Sequence, residues 1–233
     1  MTTAVTNRGE RIILWSLPAV AVLWITAFLL FPGFTPPMSP RASAFEVAAF
    51  YRDHLSRVRY SMILFNWFCV ALIPLLMLIV ERMRRMAHRT PVLRYCVIGV
   101  AGAAPIAFLT STVFWLIAAF RPERAPDLTV LCNDLAWITF TCAVPFLTAL
   151  CAFLGISIAY DDQPEPVFPK WVASFNVAVG LALIPACFAG LTLHGPFAWN
   201  GFVSFWVKNG AIVAWLIVMS VMLGKAMRRE IIS

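Results

Sequence analysis

The sequence predicts an all-α fold: a polytopic bundle of six transmembrane helices with a short amphipathic helix in the first outer loop. Three observations carry that expectation. Hydrophobic residues make up 61% of the 233 positions and charged residues 12%, against about 45–50% and about 25% in soluble domains. Six apolar runs follow one another, each long enough to cross a hydrocarbon core of about 30 Å. The charges gather between the runs rather than within them. The chain therefore reads as one integral membrane domain over residues 1–233, with the lipid bilayer as its principal partner.

The first span is expected over residues 12–32, behind Arg8 and Arg11. It is longer than a signal-peptide core, and Ala42-Ser43-Ala44 lies too far on to be its cleavage site, so it reads as a retained span. Residues 33–40 (GFTPPMSP) cannot be helical, because proline fixes φ and lacks an N–H donor. Ser43, with Glu46 three residues later, reads as a capping box. It opens an amphipathic helix over about 43–57, with Phe45, Ala48, Ala49 and Leu55 on its apolar side near the membrane surface.

The second span is expected over 60–80 and the third over 92–120, with the densest basic loop, Glu81–Arg94, between them. Asp127 is placed to cap the fourth, 128–160. An acidic, proline-rich loop (DDQPEPVFPK) leads to the fifth, 171–193, and the turn HGPFAWNG to the sixth, 202–224.

Six spans put both termini on one side. With the termini inside, eleven basic residues fall inside and seven outside, which agrees with the positive-inside rule. The expected location is the cytoplasmic (inner) membrane with both termini cytoplasmic. A net charge of +7 and a pI near 9.4 are thereby explained by topology rather than by nucleic-acid binding. The six cysteines all lie in apolar runs without metal-ligand or redox spacing and read as buried free thiols.

Spans one to five each carry an internal proline (Pro18, Pro74, Pro105, Pro145, Pro185), which removes a helical hydrogen bond and can kink the helix. Span five carries small residues at four-residue spacing, Ala178, Ala182, Ala186 and Gly190. Such a ladder lets helices approach closely, either within the monomer or as a homo-oligomer seam.

The candidate site follows from Asp134, a carboxylate inside an apolar run. Its cost is roughly 2.5–3.5 kcal/mol at the bilayer centre and less near the interface. At 1.5 Å per residue, Asp134 and Asn66 lie about 10 Å, and Lys208 about 12 Å, below the outer face. Ser111 and Thr112 fall in the same layer. Asp134, Trp137, Thr141, Pro145 and Thr148 recur at intervals of three and four, so they share one helical face. These positions suggest that Asp134 pairs with Lys208, and that Asn66, Asn133 and Asn209 complete the hydrogen bonds. Trp115, Trp137, Trp199 and Trp206 would wall a pocket. The alternative is a structural ion pair with the tryptophans in an interfacial belt.

Other chemistry finds no support. His54, His88 and His194 lie at or beyond span ends, so they read as solvated and cannot form a haem pair within the bilayer. No P-loop, GxSxG or HExxH motif occurs, so the sequence calls for no cofactor and no metal. Asp161-Asp162-Gln163-Pro164-Glu165 invites comparison with the aspartate-rich motif of membrane prenyltransferases, but a single copy broken by prolines reads as a solvated acidic loop.

The segments SPRASAFEVAAFYRDH (39–54) and GPFAWNGFVSFW (195–206), with Asn133-Asp134 and Phe168-Pro169-Lys170-Trp171, resemble a group of bacterial six-span integral membrane proteins of similar length. That group has no established activity, so the resemblance implies architecture alone. Three functions stay open on the sequence. The chain binds or processes a lipophilic small molecule in an outer-leaflet pocket, with Asp134 as ligand or general acid. Or it is an accessory or scaffold subunit of a membrane complex. Or it is a small transporter coupling protons through Asp134, against which the scarcity of polar residues on the cytoplasmic half counts.

Overall fold

In the computed structural model, described for residues 2–88 and 90–232 and for side chains over 8–88 and 90–229, six helical segments are long and apolar enough to cross a membrane. Arg89, counted above among the basic loop residues, lies outside the described residues. Helix α1 (Thr2–Leu30) is followed by the proline-rich stretch, in which Phe31 and Phe34 are fully buried and fold back into the bundle. The Thr35–Pro36 bond is cis. Ser43 and Glu46 form the full capping box that starts α2 (Ala44–Asp53). Hydrogen bonds from the backbone N–H and hydroxyl of Ser43 hold the Glu46 carboxyl below its ordinary pKa. The buried face of α2 is Val47, Ala48 and Tyr51, while Phe45 is exposed.

Helix α3 (Leu55–Met83) begins at once after His54, and α4 is Val92–Phe120. Span four is two helices, α5 (Pro126–Cys142) and α6 (Pro145–Ala159). Span five is α7 (Trp171–Leu183) continued by a 3₁₀ segment, Ile184–Leu191. Span six opens with a π-helical segment, Phe202–Val207, before α8 (Lys208–Ile232). No named strand occurs among the described residues. The prolines thus divide into two kinds. Pro18, Pro74 and Pro105 sit within continuous helices. At Pro145 the helix splits, and at Pro185 it tightens to 3₁₀.

The tightening turns the end of the small-residue ladder of span five out of line with its start. A 3₁₀ turn holds 3.0 residues and an α-turn 3.6, so four-residue spacing drifts around the axis after Ile184. Ala186 is buried, Ala182 half-buried, and Ala178 and Gly190 exposed. Close approach occurs elsewhere, between α6 and α7. A Cβ on Gly155 would stand 3.2 Å from the Ala173 carbonyl oxygen, and one on Gly180 would stand 3.4 Å from Cys151 Cβ.

In the acidic loop Asp162 and Glu165 are exposed as expected, but Asp161 is not. Asp161 is 1% exposed. Its carboxylate accepts hydrogen bonds from the backbone N–H of Ala87 (3.1 Å) and Val167 (3.1 Å) and from the Gln163 amide (3.0 Å). Burial pushes its pKa up, but these hydrogen bonds outweigh burial and hold it below the ordinary carboxylate range. Gln163 also donates to the Arg85 carbonyl. The His88 ring, expected to be solvated, donates to the Ser157 carbonyl at 2.8 Å. Nearby, Lys170 Nζ donates to the carbonyls of Ile158, Ala159 and Asp161. Asp161 works as a staple between two loops.

Candidate functional site

The inward side of α5 runs through Asn133, Ala136, Trp137, Phe140 and Thr141, all buried. Asp134, one residue or about 100° round a 3.6-residue turn, is only half-buried. This corrects the expected pairing: no ion pair joins Asp134 to Lys208 within 4.0 Å. Lys208 instead donates from Nζ to the Phe140 carbonyl (3.2 Å) and lies 3.8 Å from the centre of the Phe140 ring. Phe140 is six residues from Asp134, about 9 Å along the axis.

The physical reason lies in the break before Pro145. The last carbonyls of a helix have no intrahelical partner, and α5 ends within the bundle at Cys142. Its C-terminus carries partial negative charge, equivalent to about half an elementary charge. A fully buried ammonium finds both an acceptor and a favourable field there. The neighbouring elements are also irregular: α5 packs on the 3₁₀ segment of span five, which packs on the π segment leading into Lys208. Non-α backbone is tolerated at membrane depth where protein buries it. Asp134 instead sits half-buried on the adjoining side of α5.

The remaining polar residues pair locally. Asn133 Oδ1 accepts from the Tyr51 hydroxyl at 2.9 Å, which ties α2 to α5. Burial, then the nearby Cys132 and Asp134, holds the Tyr51 phenol well above its ordinary pKa. Thr112 donates to Asn66 across α3 and α4, and also faces the Leu109 carbonyl. Ser111 donates to Phe108 in its own helix. The polar layer is therefore a set of separate clasps, not one network.

Beside these clasps lies a narrow cavity of about 70 Å³. Its walls are almost wholly apolar. Trp24 and Phe28 come from α1, Phe34 from the proline-rich loop, Phe65 and Phe68 from α3, and Phe108, Thr112 and Trp115 from α4. Phe140 of α5, Leu147 of α6, and Asn209 and Trp215 of α8 complete it. Of the tryptophans expected as walls, Trp115 lines the cavity. Trp137 stands behind it, edge-to-face with Trp115 at 5.3 Å and stacked on Trp199 at 6.0 Å. Trp206 is 44% exposed. Trp215 spends its indole N–H on Asn176 Oδ1 at 2.8 Å. Among the described residues, the buried side-chain atoms without a hydrogen-bond partner include Nε1 of Trp115 and Trp137, the hydroxyls of Thr141 and Thr148, and Nδ2 of Asn209.

Sequence reasoning passed over Phe34 and the Phe140 carbonyl. A phenylalanine inside a glycine- and proline-rich loop is one available signal, since an exposed loop rarely needs it. Pro145, which cannot donate to the Thr141 carbonyl and so marks a helix break one turn beyond Phe140, is the other. Among the described residues no group of three or more His, Cys, Asp or Glu is placed to hold a metal ion.

The turn before span six is built for contact. Gly195 has φ +84°, and a Cβ on Gly201 would lie 2.4 Å from the Pro196 carbonyl oxygen, so both positions require glycine. The turn presents Trp199, whose indole N–H donates to the Met38 carbonyl at 2.8 Å. The turn is thereby tied to the residue just before the segment beginning at Ser39. Compared with known protein families, curated proteins and solved structures, the chain matches none.

Proposed function

We propose that the protein binds one lipophilic small molecule in the aromatic cavity between the spans. The observation that carries the reading is a cavity walled by aromatic side chains from several spans and the inserted Phe34. Protein interiors are normally filled to crystal-like density, and small-molecule sites are concave, mostly apolar and fitted with a few polar groups. The charge distribution of the loops supports a cytoplasmic-membrane protein with both termini inside, and the cavity walls run through the middle of the spans, from Phe65 to Leu76 on α3 and from Ala104 to Trp115 on α4. Lys208 and Asp134 are off the cavity wall; Lys208 closes the end of α5, and Asp134 neighbours Asn133.

The test is mass spectrometry of compounds extracted from protein purified in native-lipid discs. Wild-type protein is expected to enrich one lipophilic compound over bulk lipid, and cavity-filling Ala104→Leu or Leu216→Phe to lose it. Asp134→Asn is expected to keep it. No enrichment in wild type overturns the reading.

A further inference from the structure

Resting on the cavity reading above, we infer that its ligand is an uncharged lipophile bearing a carbonyl oxygen, held by the N–H groups of Trp115 and Asn209. The buried N–H donors that the wall leaves unmatched decide this. The Thr112 hydroxyl is already engaged with Asn66 and with the Leu109 carbonyl, and the Trp215 indole with Asn176. Trp115 is fully buried, lines the cavity, and its Nε1 has no partner. Asn209 lines the cavity from α8, and its Nδ2 is buried without a partner.

Both of these unmatched atoms are N–H donors. A buried polar group without a partner carries a desolvation penalty, and a buried indole N–H usually finds an acceptor. The complementary ligand is one that brings acceptor oxygens.

Charge and shape narrow the class. No lysine, arginine, histidine or acidic residue lines the cavity. Lys208, next in sequence to the wall residue Asn209, is committed to the Phe140 carbonyl and the Phe140 ring. A carboxylate entering these walls would lose its hydration without gaining a counter-ion, which is strongly unfavourable. A ketone, quinone or ester oxygen asks only for hydrogen bonds. The aromatic rings suit a flat or unbranched apolar body.

The experiment uses the full chain in lipid discs, with binding read as quenching or shift of tryptophan emission and as thermal stabilisation. The probes are a long-chain methyl ketone, a short-tailed benzoquinone, a fatty-acid methyl ester, and the hydrocarbon and carboxylic acid matched in length to the ketone. At least one carbonyl compound is expected to bind at least tenfold tighter than the hydrocarbon at equal mole fraction in lipid. Comparison of ketone, quinone and ester identifies which carbonyl source fits. Trp115→Phe and Asn209→Leu are each expected to reduce that preference about two- to tenfold, the range of one net hydrogen bond. Their hydrocarbon binding should be unchanged, which also shows that the variants are folded. Equal binding of hydrocarbon and carbonyl compounds overturns this inference and leaves the cavity reading intact. Tighter binding of the acid overturns it in favour of a charged ligand. Binding of no probe overturns both.

Discussion

Lys208 Nζ donates to the main-chain carbonyl of Phe140, 3.2 Å away, and not to the carboxylate of Asp134. A cation on one span is thus held by the broken end of another. If so, Lys208 and Asp134 are energetically independent. A double-mutant cycle with Lys208→Met and Asp134→Asn, read from unfolding in mixed micelles, is expected to give a coupling below about 0.5 kcal/mol. Residues in one ion pair couple by about 0.5–3 kcal/mol, and a value in that range would restore the pair.

The same contact sets the response to single changes at Lys208. Methionine removes a cation that is costly to bury, but leaves the Phe140 carbonyl bare at about 1–3 kcal/mol. These oppose each other, so Lys208→Met is expected to stay within about 2 kcal/mol of wild type. Lys208→Glu sets a negative charge against a helix C-terminus and is expected to cost 3 kcal/mol or more, on the order seen for unpaired buried charges. Denaturation midpoints of the two variants check this ordering.

Asp161 should make the protein acid-sensitive. Its folded pKa lies below that of an unfolded aspartate, about 3.9. The stabilisation is therefore complete above that pH and is lost as pH falls through the lower, folded value. Thermal melts between pH 7 and pH 3 are expected to show a falling midpoint at the acid end. Asp161→Asn should be less stable at pH 7 by about 1–3 kcal/mol and show a flatter acid limb. An unchanged acid limb in the variant would refute the staple.

Tyr51→Phe removes the donor to Asn133 and leaves a buried amide oxygen unmatched. The expected loss is about 1–3 kcal/mol, with α2 loosening first. Hydrogen exchange should rise selectively over residues 44–53. Uniform exchange across the bundle would argue that α2 is held by its apolar face alone.

Gly155→Val tests the α6–α7 contact, where even a Cβ meets the Ala173 carbonyl at 3.2 Å. Overpacking there is expected to cost about 1–3 kcal/mol. The same change at Gly99, where a Cβ meets nothing within 4 Å, is expected to cost little. Equal costs at the two sites would remove Gly155 from the packing argument.

The six spans were legible because bilayer thickness imposes length and composition on them, and the capping box at Ser43 was legible because it is a local signal. The breaks within spans four, five and six were less so. Proline marks where a hydrogen bond is missing, but not whether the helix continues, as at Pro105, or splits, as at Pro145. The Asp134 site misled for a related reason. Depth along a helix is readable at 1.5 Å per residue, but rotation is not once a span is interrupted or wound differently. The π segment before Lys208 and the break after Phe140 both change which residues meet. Asn66 and Thr112, on two uninterrupted helices, do meet.

Helix α1 lends Trp24 and Phe28 to the cavity while burying little of its own apolar length. It packs mainly on α3 and only slightly on α8, so lipid touches most of it. One wall of the cavity is therefore a single rod with membrane at its back. A lipophile that reached the cavity past α1 would come from the bilayer without crossing water.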